Sequence, residues 1–349
     1  SEYMIAIFPY AFCNCSSLTG IELISIERIG NGAFYGCSSL THMKLPESLS
    51  CIERYTFSGC TSLARVELSY TIREIADYAF QNCVSLISIS IVSSLTFLGD
   101  GAFSNCSSLI SVDLREDLKS IGHYCFYNCS KLPKIKLPRS LIYIGKYAFC
   151  LCESLTSIKI PNNVTHIEDY AFSCCYRLRT IEQSNSLKEI GSGAFNNCTR
   201  LSSIVIPDVS TIGYFAFRFC GELERITIPS SVTSIGYGAF SECRKIKEFI
   251  VADDNEYYTS SDGVIYTKNY SSICSVPGQK EGSFIIDKRV ITIWAYAFSG
   301  CSRLVSKKFL KVWRKSNLTN SQIVRNYQQL PFRMECIEFV LEHLCRAKN

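Results

Sequence analysis

The chain has 349 residues, 47% of them hydrophobic and 19% charged, with 36 lysines and arginines against 31 acidic residues. That is too much apolar material for a disordered or collagen-like chain, and no run of about 18 uncharged apolar residues is present to form a transmembrane helix. The charge surplus is local. Residues 302–349 hold ten Lys and Arg against three acidic residues, leaving 26 against 28 in residues 1–301. Phosphate binding relies on clustered basic charge, so the near-neutral body argues against a general nucleic-acid-binding role.

The first residues, Ser1-Glu2-Tyr3-Met4-Ile5-Ala6-Ile7-Phe8, lack the basic and long apolar regions of a leader and enter a repeat almost at once. With no initiator Met, the expectation is a chain cut from a longer one, which leaves a lost leader or lost coils equally open. Length alone suggests about two domains, but internal periodicity argues for one extended array.

Phe12, Phe34, Phe57, Phe80, Phe103, Phe126, Phe149, Phe172, Phe195, Phe217 and Phe240 recur at steps of 22 or 23 residues, and Phe298 returns 58 residues later. Three residues after each Phe stands a Cys, from Cys15 and Cys37 to Cys243 and Cys301, and three further on a Leu or, once, Ile246. Five residues before most of the Phe residues sits an aliphatic such as Ile29, Ile75, Ile144 or Ile235. Leu155-Thr156-Ser157-Ile158-Lys159-Ile160 alternates at period two, which predicts a short strand with one buried face. Gly145 and Pro161 mark places where the backbone turns. A unit of this size cannot bury its apolar face alone, whereas stacked copies cover one another, so the pattern predicts a repeat solenoid.

The motif Ile-Gly-x-x-Ala-Phe-x-x-Cys-x-x-Leu-x-x-Ile-x-Ile-Pro, complete from Ile144 to Pro161, resembles that of the BspA-like leucine-rich repeat family of surface antigens. The resemblance covers about Ile5 to Val305. It implies a curved, right-handed leucine-rich repeat solenoid with a parallel β-sheet on the concave side, used for adhesion or protein binding. By resemblance the chain would be displayed at a cell surface, and an intracellular scaffold is the alternative. Tyr258-Thr259-Ser260-Ser261-Asp262-Gly263-Val264-Ile265-Tyr266 is similar to an irregular repeat that interrupts such arrays. Asp262-Gly263 signals a turn, and Val264 to Tyr266 with Ser272 to Val276 reads as a hairpin-like strand pair. The expected organisation is coils over 1–249, an irregular repeat and last coil over 250–305, and a basic linker with an amphipathic helix over 306–349. That C-terminal α-helical segment is expected from the spacing of Met334, Ile337, Val340, Leu341, Leu344 and Cys345, and would cap the last coil. Lys307, Lys308, Lys311, Arg314 and Lys315, flanking Trp313, offer instead an attraction for an acidic partner or lipid headgroups.

Candidate chemistry is sparse. Twelve of the 20 Cys occupy the repeat column. Equivalent side chains in a parallel stack point one way, so free, buried thiols are expected rather than disulfides. His42, His123, His166 and His343 fall in different repeats or in the tail, and no phosphate-binding loop, zinc-protease motif or catalytic triad is visible. No enzyme activity, metal or cofactor is therefore expected. Seven Asn-x-Ser/Thr sequons occur, four of them arising from the repeat itself, where Asn is expected to tie the turn through local hydrogen bonds. The outward strand positions make the candidate concave-face binding surface: Arg65, Lys134, Lys136, Lys159 and Arg225, with a basic cluster at Lys134, Lys136 and Lys159. The expected partner is a protein or a cell-surface or matrix ligand, not nucleic acid.

Overall fold

The computed structural model describes residues 5–91 and 95–309, and the coils belong to one unit, Ser1–Lys308. The predicted C-terminal helix lies outside the described residues, among which no helix occurs.

Each 22- or 23-residue coil makes a tight turn around its Phe, and at that turn backbone amides alternate in direction. The N–H groups of Tyr78, Phe80 and Asn82 donate to the carbonyls of Asp100, Ala102 and Ser104 in the next coil, each at 2.8 Å. Those of Gln81 and Cys83 bond back within the coil, to Tyr78 and Phe80. The alternation needs left-handed backbone at two places, two residues before and two after the Phe, as at Tyr78 and Asn82 (φ 57° and 59°). Glycine enters the left-handed region without cost, and Asn tolerates it. Both occur there, as Gly101 with Asn105 and Gly193 with Asn197. Tyr fills the first place in most of the other coils.

Side chains follow the same stacking. The eleven Phe rings from Phe12 to Phe240 form one column with successive centroids 5.2–5.7 Å apart and near-parallel planes. Burial stabilises by roughly 1.5–3 kcal/mol per ring. Phe298, which the spacing placed in the column, packs instead edge-on against Phe284 in a second, smaller core. A second column runs outside the first, with Tyr124, Tyr147 and Tyr170 stacked at 4.8 and 4.9 Å. It stops at glycines: a Cβ on Gly101 would lie 2.5 Å from the Tyr78 ring.

Two parallel ladders complete the coil, not the single sheet that the sequence predicts. The expected ladder follows the coil leucine, as the in-register strands His42–Lys44, Arg65–Glu67, Ser88–Ser90 and Ser111–Asp113. It breaks at the next coil, where Pro133 has no N–H, whereas the equivalent Ile110 N–H donates to Ile87 at 2.9 Å. It resumes as Ser157–Lys159 with Thr180–Glu182, and again as Arg225–Ile228 with Glu248–Val251. The unexpected ladder uses two-residue strands at the aliphatic position, from Cys51–Ile52 through Ser120–Ile121 to Tyr143–Ile144. It continues from His166–Ile167 to Ser234–Ile235. Gly145, read from sequence as a turn residue, has no left-handed φ. It is small because a Cβ there would sit 2.6 Å from the His123 nitrogen of the coil beneath.

After Val251 the regular coils give way to antiparallel strands, Tyr258–Ser261 with Val264–Thr267 and the latter with Ser272–Ser275. Asn255 holds the junction. Its buried amide donates to the Pro229 and Val232 carbonyls at 2.9 and 3.0 Å and accepts from the Tyr257 and Tyr258 amides. The Tyr258 hydroxyl accepts the Ile235 amide at 3.0 Å, where a further regular strand would lie.

Because Phe126 is stacked on both faces and Phe12 on one only, their truncations should differ. Phe126→Ala is expected to cost about 3–5 kcal/mol in urea unfolding, and the half-buried Phe12→Ala clearly less. Equal losses would contradict a load shared along the column.

Candidate functional site

The leucine ladder presents alternate residues outward, with an exposed, buried, exposed pattern in the strands of residues 65–67, 88–90 and 111–113. Parallel register then sorts the outward side chains into two rows. One row runs His42, Arg65, Ser88, Ser111, Lys134, Ser157, Thr180; the other runs Lys44, Glu67, Ser90, Asp113, Lys136, Lys159, Glu182. The structure therefore brings Lys134, Lys136 and Lys159 onto successive coils, and leaves Arg65 and Arg225 apart from them.

Four of the five candidate side chains are engaged with carboxylates. Arg65 pairs with Glu67 at 3.0 Å, Lys136 with Glu116 at 3.8 Å and Lys159 with Glu182 at 2.8 Å, and Arg225 contacts Glu248. All are solvent-exposed pairs, worth little to stability, but each sets a negative charge beside a positive one that the sequence alone leaves uncompensated. Among the described residues Lys134 has no ion-pair partner. Beside it, the row just after the coil leucine exposes Ile87, Ile110 and Pro133 on consecutive coils, the two isoleucines about half exposed.

The thiols are structural. Every described cysteine is free. The column thiols from Cys37 to Cys243 donate to the Phe carbonyl of the preceding coil, as Cys60 to Phe34 and Cys152 to Phe126, both at 3.2 Å. Burial, the largest cause in each case, pushes the thiol pKa of Cys37 up to about 11 and those of Cys60, Cys152 and Cys243 to about 12. They therefore remain protonated donors at neutral pH. The described histidines do not converge: His123 Nδ1 accepts the Lys146 amide, and His166 lies 4.0 Å from Glu189. Among the described residues no group of three metal-ligating side chains forms.

The repeat asparagines act across coils rather than within their turns, correcting the sequence expectation. The Asn105 amide donates to Asn82 Oδ1 at 2.9 Å and the Asn128 amide to Asn105 Oδ1 at 3.0 Å, so these sequon nitrogens are committed to a ladder. Asp77 and Asp100 have a similar task, each accepting the amide of the residue one coil on. Sequence reasoning also passed over the columns flanking the coil leucine. There Arg177 and Arg200 stand in a column that holds Ser in half of the coils, and Arg179 in the more varied column after the leucine, a clustering visible once the repeats are aligned.

Stacked coils with a leucine ladder define a leucine-rich repeat β-solenoid. The model of the BspA type leucine rich repeat region matches residues 5–133 and 119–247, and the chain belongs to that family. It is similar in fold to a leucine rich cell surface protein from Faecalibacterium prausnitzii (23% identity, 93% of this chain and 86% of that one, TM-score 0.53). A leucine-rich repeat protein from Bacteroides ovatus is 29% identical over 70% of this chain and 82% of its own, with a TM-score of 0.39. A leucine rich repeat protein from T. pallidum is 31% identical over 57% and 78%, with a TM-score of 0.36. None of the curated proteins compared with the chain matches it.

The raised thiol pKa values set a pH dependence. Below the usual value of 9.0 these thiols are protonated whether the chain is folded or not, and their contribution to stability is fully present. Above it the unfolded chain releases protons that the folded chain holds to about 11 or 12, so stability falls as pH rises through this range. The expected outcome is a melting temperature that declines steadily from about pH 9 upward. A thiol reagent at pH 8 should label exposed Cys15 long before the buried column cysteines from Cys37 to Cys243, which should react only on unfolding.

Proposed function

We propose that this chain is a non-enzymatic protein-binding or adhesion module whose leucine-ladder face recognises a protein or matrix ligand. The observation that carries this reading is the juxtaposition of exposed Ile87, Ile110 and Pro133 with unpaired Lys134 on successive coils. Apolar side chains next to a charge of low self-neutralisation suit a macromolecular partner, which buries the first and pairs the second. The outward side chains are spread along a rigid ladder at about 4.8 Å per coil, a spacing matched to an extended surface rather than to a small substrate. Membership of the BspA family supports protein interaction, and the surface description of the F. prausnitzii relative supports display.

An intracellular scaffold using the same face is the second reading, favoured by the free thiols throughout the described chain. Labelling the tagged full-length protein on intact cells separates the two: antibody access without permeabilisation supports display.

The face itself is tested by charge reversal. Lys134→Glu with Lys159→Glu sets two acids beside Asp113 and Glu182. Binding to a panel of immobilised matrix proteins is expected to weaken at least about tenfold, the equivalent of 1.4 kcal/mol. Unchanged binding would remove this face from consideration.

A further inference from the structure

We infer that Arg177, Arg179 and Arg200 form a binding surface for a sulfated or carboxylated polysaccharide. This surface uses none of the lysines of the two outward rows.

The three arginines flank Leu178 and Leu201, on two coils in direct contact. The Ser202 amide donates to the Arg179 carbonyl at 3.4 Å, and the Thr199 hydroxyl to the Tyr176 carbonyl at 3.2 Å. All three are exposed, and among the described residues none forms an ion pair. Three of the carboxylates on neighbouring positions are otherwise occupied. Glu222 and Glu224 of the following coil hold Lys245 and Lys247 at 2.6 and 2.7 Å, and Glu182 holds Lys159. Glu153, on the preceding coil, makes no ion pair with any of the three. Three like charges on coils about 5 Å apart repel one another, and an anion relieves that repulsion.

The chemistry of the surroundings selects the anion. Guanidinium offers a planar fork that fits sulfate or carboxylate oxygens in pairs. Ser157, Thr180, Ser202 and Ser203 are exposed alongside and supply hydroxyls for sugar oxygens. A single-stranded nucleic acid would need exposed rings on which bases stack. Tyr176, the aromatic residue next to the cluster, is partly buried.

The test measures the Kd of the full chain for a heparin oligosaccharide across a salt series, against the variant Arg177→Ser/Arg179→Thr/Arg200→Ser. Ser and Thr occupy these columns in sister coils, at Ser154, Ser108 and Thr156, so the variant should keep the parent unfolding midpoint. If the midpoint falls, Arg177→Gln/Arg200→Gln, which keeps the aliphatic stems, replaces it. Affinity is expected to drop at least about tenfold at physiological salt, and the slope of log Kd against log salt to shrink by about two to three. A parallel variant, Lys307→Ser/Lys308→Ser/Lys311→Ser, should retain most of the binding. The inference is overturned if the arginine variant binds heparin like the parent, or if only the lysine variant loses binding. It is overturned equally if a charge-matched single-stranded DNA binds as tightly through the same arginines.

Discussion

The structure depends on the backbone hydrogen bonds that pass from one Phe turn to the next. Within the turn, every second amide leaves its own coil: those of Phe57, Phe126 and Phe149 reach Ala79, Ala148 and Ala171 at 2.8 Å. A coil therefore has no complete set of partners without its neighbours, which is the physical content of a quasi-one-dimensional fold. The ring column, the thiol bonds and the asparagine ladder all inherit the register these amides impose. Left-handed residues before and after the Phe are what let consecutive amides face opposite ways.

This explains the side chains the sequence repeats. Phe fills the interior and meets its own image at about van der Waals contact. Cys is small enough to lie beside the ring and still carries a proton for the Phe carbonyl, which already accepts one backbone amide. Gly145 and its equivalents are small because coil backbones pass close to one another. Polar work is done at the rim, where Asp77, Asp100 and Asp169 each receive an amide from the coil above.

Much of this was legible in the sequence, because a column shows itself whenever the same residue type is required at every step. The Phe, Cys and Leu columns are of this kind. The aliphatic ladder was not anticipated, since strands such as Glu74–Ile75 are too short to display alternation. The strand break at Pro133 was readable from the missing amide, once its place in the ladder was known. Phe298 kept the motif but not the stack, because Phe249 packs against Phe240 in a tilted arrangement and ends the parallel column. The candidate surface was the least legible part. Lys159 looks like one of three clustered bases until register sets Glu182 beside it, a neighbour 23 residues away. Conversely, that Lys134 has no ion-pair partner among the described residues is a property of the coils on either side and not of its own segment.

The junction at Asn255 and Tyr258 has an evolutionary consequence. Along the run before it, each winding offers its successor the same Phe-turn carbonyls and stacking ring, so unequal recombination between copies can add or delete whole windings without breaking the turn ladder. At the junction that interchangeability ends: Asn255 and the Tyr258 phenol are matched to one particular underside, that of Pro229, Val232 and Ile235. Whole windings can thus be gained or lost on that side of the seam while the pairing across it, and the segment beyond, stay constant.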